Sequence, residues 1–175
     1  IDGVPGNINS VAREDVESVD LLKDGAAAAI YGTRGTNGVL LITTKKKSRN
    51  REAGLTYDGY ASVQTIARKM EFLDAEDYRK LIDEGVFLPR EDYGTSTDWL
   101  DVISRQPLSH THHLSIEGGT AQTNYVASLN VRQWEGFFNR SNNDQLIGRA
   151  DINHTMLEGK LKFNFNIIGR TRRYF

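Results

Sequence analysis

The sequence predicts an α+β fold in two parts: short helices and strands over residues 1–48, then antiparallel strands over residues 49–175. Three features predict this division. An alanine-rich stretch runs into three glycines and then into a β-branched segment. Five later segments alternate apolar and polar residues, which is the period of a strand. The connections between those five segments are alternately long and short.

The first part is organised around the stretch DGAAAAIYGTRGTNGVLLITTKK, residues 24–46. Residues 13–17 favour a first helical turn, and residues 26–29 favour a helix that residues 30–31 close. Gly32 suits the position just after a helix, where φ is positive, and Val39–Thr44 predicts a strand. Phosphate-binding loops place their glycines before a helix N-terminus, whereas here the helix comes first. The stretch therefore predicts a helix–turn–strand corner rather than a nucleotide site.

The second part is predicted to consist of strands joined by unequal connections. The five alternating segments are residues 55–66, 108–117, 124–134, 146–153 and 160–170. Residues 67–107 form a long insertion with a predicted helix at 75–84, whereas the link at 118–121 is tight. Transmembrane β-strands and the half-buried strands of a soluble sandwich give the same alternation. Long connections on one rim and tight turns on the other favour a barrel.

Composition excludes several classes of protein. The 175 residues carry a formal net charge of -1 and contain no cysteine, which excludes disulfides and thiolate metal sites and leaves no basic surface for nucleic acid. No apolar run is long enough for a membrane helix. The chain opens on Ile1 in a predicted strand, so we expect a piece of a longer protein, and a missing signal peptide says nothing about targeting.

Three nearby histidines carry the chemistry closest to that of a metal site. His110 and His112 lie on the same face of a predicted strand and could chelate a metal, with His113 beside them. One strand supplies only two ligands, so a polar strand end is the simpler interpretation. A metal-dependent hydrolase that uses this pair stays open as an alternative. The acidic helix at 75–84 is interpreted as a solvated helix face, and no catalytic or cofactor residue is assigned.

Two aromatic residues in the long insertion are candidates for ligand contact. Tyr93 and Trp99 lie next to Asp92 and Asp98, so rings that stack on a sugar would have carboxylates beside them. The same residues are equally suited to packing the loop onto itself.

Three quoted segments carry a family resemblance: IDGVPG, EDVESVDLLKDGAAAAIYGTRGTNGVLLITTKK and DYGTSTDW. Together they resemble the plug-to-barrel region of the SusC/RagA family of TonB-dependent outer-membrane transporters. The resemblance is element by element over residues 1–47 and looser beyond. It implies that residues 1–48 are the C-terminal part of a plug domain. Residues 49–175 would be the first strands of a transmembrane β-barrel, with the loop insertion at 67–107.

The resemblance implies a transporter and not an enzyme. Such a protein would import large nutrients, oligosaccharides or peptides, across the outer membrane of a Gram-negative bacterium. TonB would supply energy through an N-terminal segment that is not part of this sequence. A SusD-like surface lipoprotein would cap the extracellular loops, and outer-membrane lipid would surround the strands. Neither a cofactor nor nucleic acid is implied.

The resemblance also gives a role to charged residues in the first part. It implies that plug charges pair with the barrel wall and that releasing them is part of gating. Arg34 is the first choice, with Lys23, Glu17 and Asp20. Glu14 and Asp15 belong to the same charged set. Ordinary surface salt bridges, which contribute little, are the alternative for each of these residues.

A soluble β-rich ligand-binding module is the alternative function. It predicts that the apolar strand faces meet one another across a core that excludes water. A transporter predicts that they point outward, to lipid. The direction of these faces therefore discriminates between the two hypotheses.

Overall fold

The computed structural model describes residues 1–23, 29–35, 37–46, 51–69, 72–86 and 94–175. The side chains of Arg34 and Arg51 lie outside this description. The predicted helix at 26–31 falls partly outside it, and residues 29–31 are helical.

Besides the helical residues 29–31, the described residues form seven strands and two α-helices. They are β1 (Val16–Leu22), β2 (Val39–Thr44), β3 (Arg51–Val63), α1 (Ala75–Asp83), α2 (Trp99–Ile103), β4 (Leu108–Gly119), β5 (Thr123–Glu135), β6 (Asn142–Met156) and β7 (Leu161–Tyr174). Short 3-10 turns lie at Ile8–Ser10, Arg13–Asp15, Gly32–Gly35 and Leu157–Gly159. The mixed α+β class with antiparallel sheets is as the sequence predicts.

The first part of the chain forms a two-stranded antiparallel sheet. Leu22 pairs with Val39 and Val16 with Thr44, so the glycine stretch closes a hairpin between β1 and β2. The helical turn expected at residues 13–17 is a single 3-10 turn that ends at Asp15, because the β-branched Val16 begins the strand. Gly32 has φ +66°, which confirms its predicted positive φ after a helix.

Gly38 provides a test of this hairpin. Its φ is +96°, and a Cβ built there would lie 3.3 Å from the carbonyl oxygen of Leu22. We expect Gly38→Ala to destabilise the hairpin by about 1–2 kcal/mol. Amide hydrogen exchange in β1 and β2 should then accelerate about 5–30-fold. Gly169→Ala is the control, because its Cβ would meet nothing within 4 Å; equal exchange in both variants would contradict the expectation.

The second part forms a five-stranded antiparallel meander in the order β3-β4-β5-β6-β7. All five alternating segments are strands, as predicted, and most are longer than expected. The first lies earlier than predicted, at Arg51–Val63 rather than 55–66. The last runs on to Tyr174, beyond the end of its apolar alternation, because its pairing with β6 continues as far as Asn143 and Tyr174.

The long insertion carries two helices, of which one was predicted. Helix α1 begins after Asp74, whose Oδ1 accepts a hydrogen bond from the backbone N–H of Asp77 at 2.7 Å. Helix α2 begins after Asp98 in the same way, with the N–H of Asp101 donating at 3.0 Å. Among the described residues, no helix combines the length and the apolar character needed to cross a membrane.

The two faces of the five-stranded sheet differ in polarity. We call the face that residues 1–46 cover the inner face; it includes the buried Ser128, Asn130 and Arg149. The opposite, outer face carries apolar side chains that remain exposed although they come from paired strands. They are Leu55, Tyr57, Leu114, Ile116, Leu129, Leu146, Ile152, Phe163, Phe165 and Ile167. The sheet therefore buries its polar face and exposes its apolar face.

Candidate functional site

The contact between residues 1–46, which we call the N-terminal segment, and the inner face is centred on Asp15. This carboxylate ends the 3-10 turn before β1 and is buried. Ser128 Oγ donates to Asp15 Oδ2 at 2.8 Å. His113 Nε2 lies 3.6 Å from Oδ1, and Arg149 Nη1 lies 3.8 Å from the same oxygen. Three strands thus each direct one polar side chain at a single carboxylate.

Arg149 joins the N-terminal segment to β6. Its side chain is 1% exposed, and Nη2 donates to Thr44 Oγ1 at 2.6 Å and to the carbonyl oxygen of Lys45 at 3.2 Å. Nη2 also pairs with Asp151 on the same strand. A buried guanidinium is tolerated only when carboxylates and hydrogen-bond acceptors surround it. Asp15 and Asp151 provide that compensation from opposite sides of the contact.

Further hydrogen bonds extend the contact along the sheet. Asn130 Nδ2 donates to Glu14 Oε2 at 3.0 Å. The carbonyl oxygen of Asn9 accepts from Gln145 Nε2 at 3.1 Å and from Arg170 Nη1 at 3.0 Å. The N-terminal segment is therefore held to β5, β6 and β7 largely by polar groups, beside a small buried apolar set: Ala12, Ile42, Val126 and Ile147.

Asp2 fastens the start of the N-terminal segment to β2. Its carboxylate accepts from the Thr44 N–H at 3.0 Å and from Thr44 Oγ1 at 2.6 Å, and Lys46 Nζ lies 3.6 Å away. Burial opposes the charged form. The two hydrogen bonds from Thr44 and the charges of Lys46 and Arg149 outweigh it, so the pKa of Asp2 lies below its ordinary value of 3.8.

This lowered pKa predicts a loss of stability in acid. A carboxyl group whose pKa is lower in the folded state stabilises the fold above its unfolded value, here 3.8, and loses that contribution as pH falls further. We therefore expect Asp2→Asn to lower the midpoint of thermal unfolding at neutral pH. The difference from the unsubstituted chain should shrink as the pH falls below 3.8. Asp20→Asn removes an exposed carboxylate and is the control; a deficit at Asp2→Asn that is constant with pH would contradict the expectation.

The residues that the sequence analysis favours as plug–wall contacts are Arg34, Lys23, Glu17 and Asp20. The three of these whose side chains are described differ from the buried Asp15 in their exposure. Glu17, Asp20 and Lys23 are exposed, and Asp20 accepts a hydrogen bond from Ser18 Oγ at 3.2 Å within β1. The side chain of Arg34 lies outside the described residues. A contact of these four residues with a barrel wall stays a prediction.

The two aromatic candidates of the long insertion are not brought together in the described structure. Trp99 begins α2 and is 71% exposed. Tyr93 lies outside the described residues. Their role in ligand contact also stays a prediction.

His110 and His112 are neighbours, as their spacing on one strand predicts. Their ring centroids lie 5.2 Å apart, and His112 Nδ1 is hydrogen-bonded to Tyr57 Oη at 2.7 Å. Within the described ranges, no group of three or more metal-ligating side chains is present. His113 is on the other face, at Asp15.

Sequence reasoning placed Arg149 and Asp151 on a polar strand face but did not assign them to the contact. Arg149 is separated by more than 100 residues from its partner Thr44, so no local spacing links the two. One signal was present: two opposite charges at alternate positions of a strand whose other face is apolar.

Comparisons with known proteins find relatives that match nearly the whole of this chain. TonB-dependent receptor SusC of Bacteroides thetaiotaomicron is 33% identical over 168 residues, which cover 95% of this chain and 17% of SusC. TonB-dependent receptor P26 of Formosa agariphila is 29% identical over 175 residues, covering 94% and 18%. The chain thus spans less than a fifth of these relatives. No family model matches it.

The fold has solved counterparts. The RagAB peptide importer in its open-open state superposes with a TM-score of 0.83 at 21% identity, over 98% of this chain and 23% of that chain. In its closed-closed state the TM-score is 0.77 over 93% of this chain. Over nearly its whole length, the chain matches by sequence a segment of the TonB-dependent receptor SusC and by fold a segment of the RagAB importer, which is the resemblance to the SusC/RagA family that its motifs predict.

Proposed function

We propose that the chain is part of an energy-coupled transporter in the outer membrane of a Gram-negative bacterium. The observation that carries the proposal is the inverted polarity of the five-stranded sheet. Leu129 lies midway along β5 on the outer face and is 47% exposed, whereas Asn130, the next residue, is 1% exposed beneath the N-terminal segment. Lipid-facing apolar residues and a polar interior are typical of a transmembrane β-barrel.

In this proposal the two parts of the chain have different roles. Residues 1–48 are the C-terminal part of the plug, and residues 49–175 are the first barrel strands, with the insertion at 67–107 as an external loop. The connections support this arrangement. The links after β3 and β5 are the longer ones, at residues 64–107 and 136–141, whereas those after β4 and β6 are short turns.

The partners follow from the family. TonB supplies energy through a part of the receptor that lies before this segment, and a SusD-like lipoprotein covers the external loops. The cargo is a large nutrient, an oligosaccharide or a peptide. In this proposal the protein is a transporter rather than an enzyme, which the relatives named TonB-dependent receptors support.

The soluble ligand-binding module is disfavoured by the direction of the apolar faces. It requires those faces to meet, yet the outer-face side chains of β7, such as Phe163 and Ile167, are more than half exposed.

Cell fractionation tests the proposal directly. An antibody against the insertion at residues 67–107 is used to follow the protein in membrane and soluble fractions of its native cells. We expect a band in the outer-membrane fraction that requires detergent for extraction and changes its gel mobility on boiling, as a closed barrel does. A small soluble band that is indifferent to boiling would refute the transporter and favour the binding module.

A further inference from the structure

A cleft between the N-terminal segment and the inner face has the properties of a ligand site. Its volume is about 420 Å³, within the range of small-ligand pockets. Arg13 lines it from the 3-10 turn before β1, and Arg132 lines it from near the end of β5. Among the described residues, neither Asp nor Glu lines this cleft.

The cleft lies at the end of the sheet that carries the longer connections. Ser62 and Trp134 line it, and each is next to the last residue of its strand, β3 and β5 respectively. The insertion and the 136–141 loop both begin there. In the proposed transporter this is the external end, where cargo arrives first.

Arg132 contributes a half-buried guanidinium to this cleft. Its Nε is buried out of reach of a ligand, so the groups that can meet a ligand are those on the accessible part of the guanidinium. Because no carboxylate is among the described residues that line the cleft, the charge of this guanidinium favours an anion there. Asp58 lies on the same face as Tyr60 but does not line the cleft, and Glu14 is engaged by Asn130.

The remaining lining suits a sugar. Trp134 and Tyr60 are 40% and 46% exposed and offer flat ring faces. Ser62 and Thr111 add hydroxyl groups that can both donate and accept hydrogen bonds. Guanidinium groups recognise the planar array of oxygens on carboxylates and sulfates.

We propose that this cleft binds an anionic oligosaccharide, with the carboxylate or sulfate of one sugar held between Arg13 and Arg132. The inference rests on the proposed function, because it names the class of cargo that the transporter would take. An acidic peptide would satisfy the arginines, whereas a sugar would in addition stack on the exposed rings of Trp134 and Tyr60.

The test uses the full-length receptor that contains this segment, purified in detergent without its lipoprotein. The receptor is applied to an array of immobilised oligosaccharides of equal length that are carboxylated, sulfated or neutral. An oligoglutamate peptide is immobilised on the same array, and the amount of receptor retained on each ligand is measured. We expect at least about tenfold tighter binding of one anionic sugar class than of neutral sugars, weakening as salt is raised. Which class binds tells a carboxylate from a sulfate.

Substitutions assign the binding to the cleft. Arg132→Gln and Arg13→Gln are each expected to weaken retention of the anionic sugar at least about tenfold and to leave retention of neutral sugars unchanged. Arg173→Gln, on the outer face opposite Asp144, is the control and should change neither. The membrane fractionation of each variant shows that it is folded and inserted.

Three outcomes would overturn the inference. They are equal retention of neutral and anionic sugars, retention of oligoglutamate above every sugar, and anionic binding that survives both substitutions. If the receptor is in the outer membrane and any of these outcomes is found, only the inference about the cleft is wrong and the proposed function is unaffected. A receptor absent from the outer membrane refutes the function whatever the array shows, so the two failures are distinguishable.

Discussion

Replacement of Arg149 by methionine is expected to weaken the attachment of the N-terminal segment by about 3–5 kcal/mol. Methionine keeps most of the volume but removes the charge that lies 3.8 Å from Asp15 and pairs with Asp151. Both carboxylates are buried, so each would be left without its cation in a place that water does not reach. The donors to Thr44 and to the carbonyl oxygen of Lys45 would be lost as well.

Amide hydrogen exchange measures this effect where it should occur. Exchange in β1 and β2 should accelerate by at least about a hundredfold, the equivalent of ~3 kcal/mol, while β7 keeps its protection. Arg173→Met is the matched control, because that arginine is exposed and lies on the outer face; it should change stability by less than about 0.5 kcal/mol. Unchanged exchange in Arg149→Met would show that the contact does not depend on this charge.

A double substitution tests whether Arg149 acts through Asp15. Asp15→Asn removes the charge of the partner, so its addition to Arg149→Met should cost less than it does alone. A coupling of about 0.5–3 kcal/mol is expected for residues in one ion-pair network. Strict additivity would mean that Asp151 and Thr44 account for the effect of Arg149.

The largely polar character of this contact suits the proposed function, in which the N-terminal segment would be released during transport. An apolar interface would expose its surface to water on separation, at about 25 cal/mol per Å². Polar groups such as Asn130, Gln145 and the carbonyl oxygen of Asn9 exchange one another for water, and each exchange costs only about 0.5–1.5 kcal/mol. Separating the buried ion pairs of Arg149 requires the most free energy. In the proposed function, these pairs are therefore the point at which release of the segment is controlled.

The strands were predictable because each carries its own signal. Alternation in β5 is local, and Val39–Thr44 is a β-branched run that needs no partner to be recognised. The direction of the faces was not predictable in the same way, because alternation is symmetrical: it gives two faces without saying which is covered. Residues 1–46 decide that by packing on the polar side.

The contact residues were only partly predictable for a related reason. Sequence reasoning gave Glu14, Asp15 and Glu17 the same role, but the structure separates them at the boundary between turn and strand. Glu14 and Asp15 belong to the 3-10 turn that faces Asn130 and Ser128, whereas Glu17 is one residue into β1 and exposed. The position of the boundary between the turn and β1 decides which carboxylate is buried. The number and sign of the charges in the sequence do not reveal that position.

Leu129→Arg is expected to destabilise the protein in a bilayer by about 2–4 kcal/mol. Leu129 lies midway along β5, in an outer-face row with Leu114 and Tyr57. Along β5 the apolar outer-face positions run from Tyr125 to Val131, about 20 Å at ~3.4 Å per residue. An arginine at the centre of that band is far from water on either side, so its side chain cannot reach a lipid headgroup without distorting the strand or the bilayer.

The position dependence of this cost separates a bilayer from water. Met156→Arg places the same charge on the last residue of β6, at the end of the outer face, where the cost should fall to about 0–1 kcal/mol. The measurement is denaturant unfolding of the full-length receptor in lipid vesicles, followed by the heat-shifted band. If the outer face met water instead, both substitutions at exposed positions would change stability by less than about 0.5 kcal/mol. A large loss of stability for Leu129→Arg and a small loss for Met156→Arg indicates a bilayer. In water the two losses would be alike, because the cost of a charge would not depend on its position along the outer face.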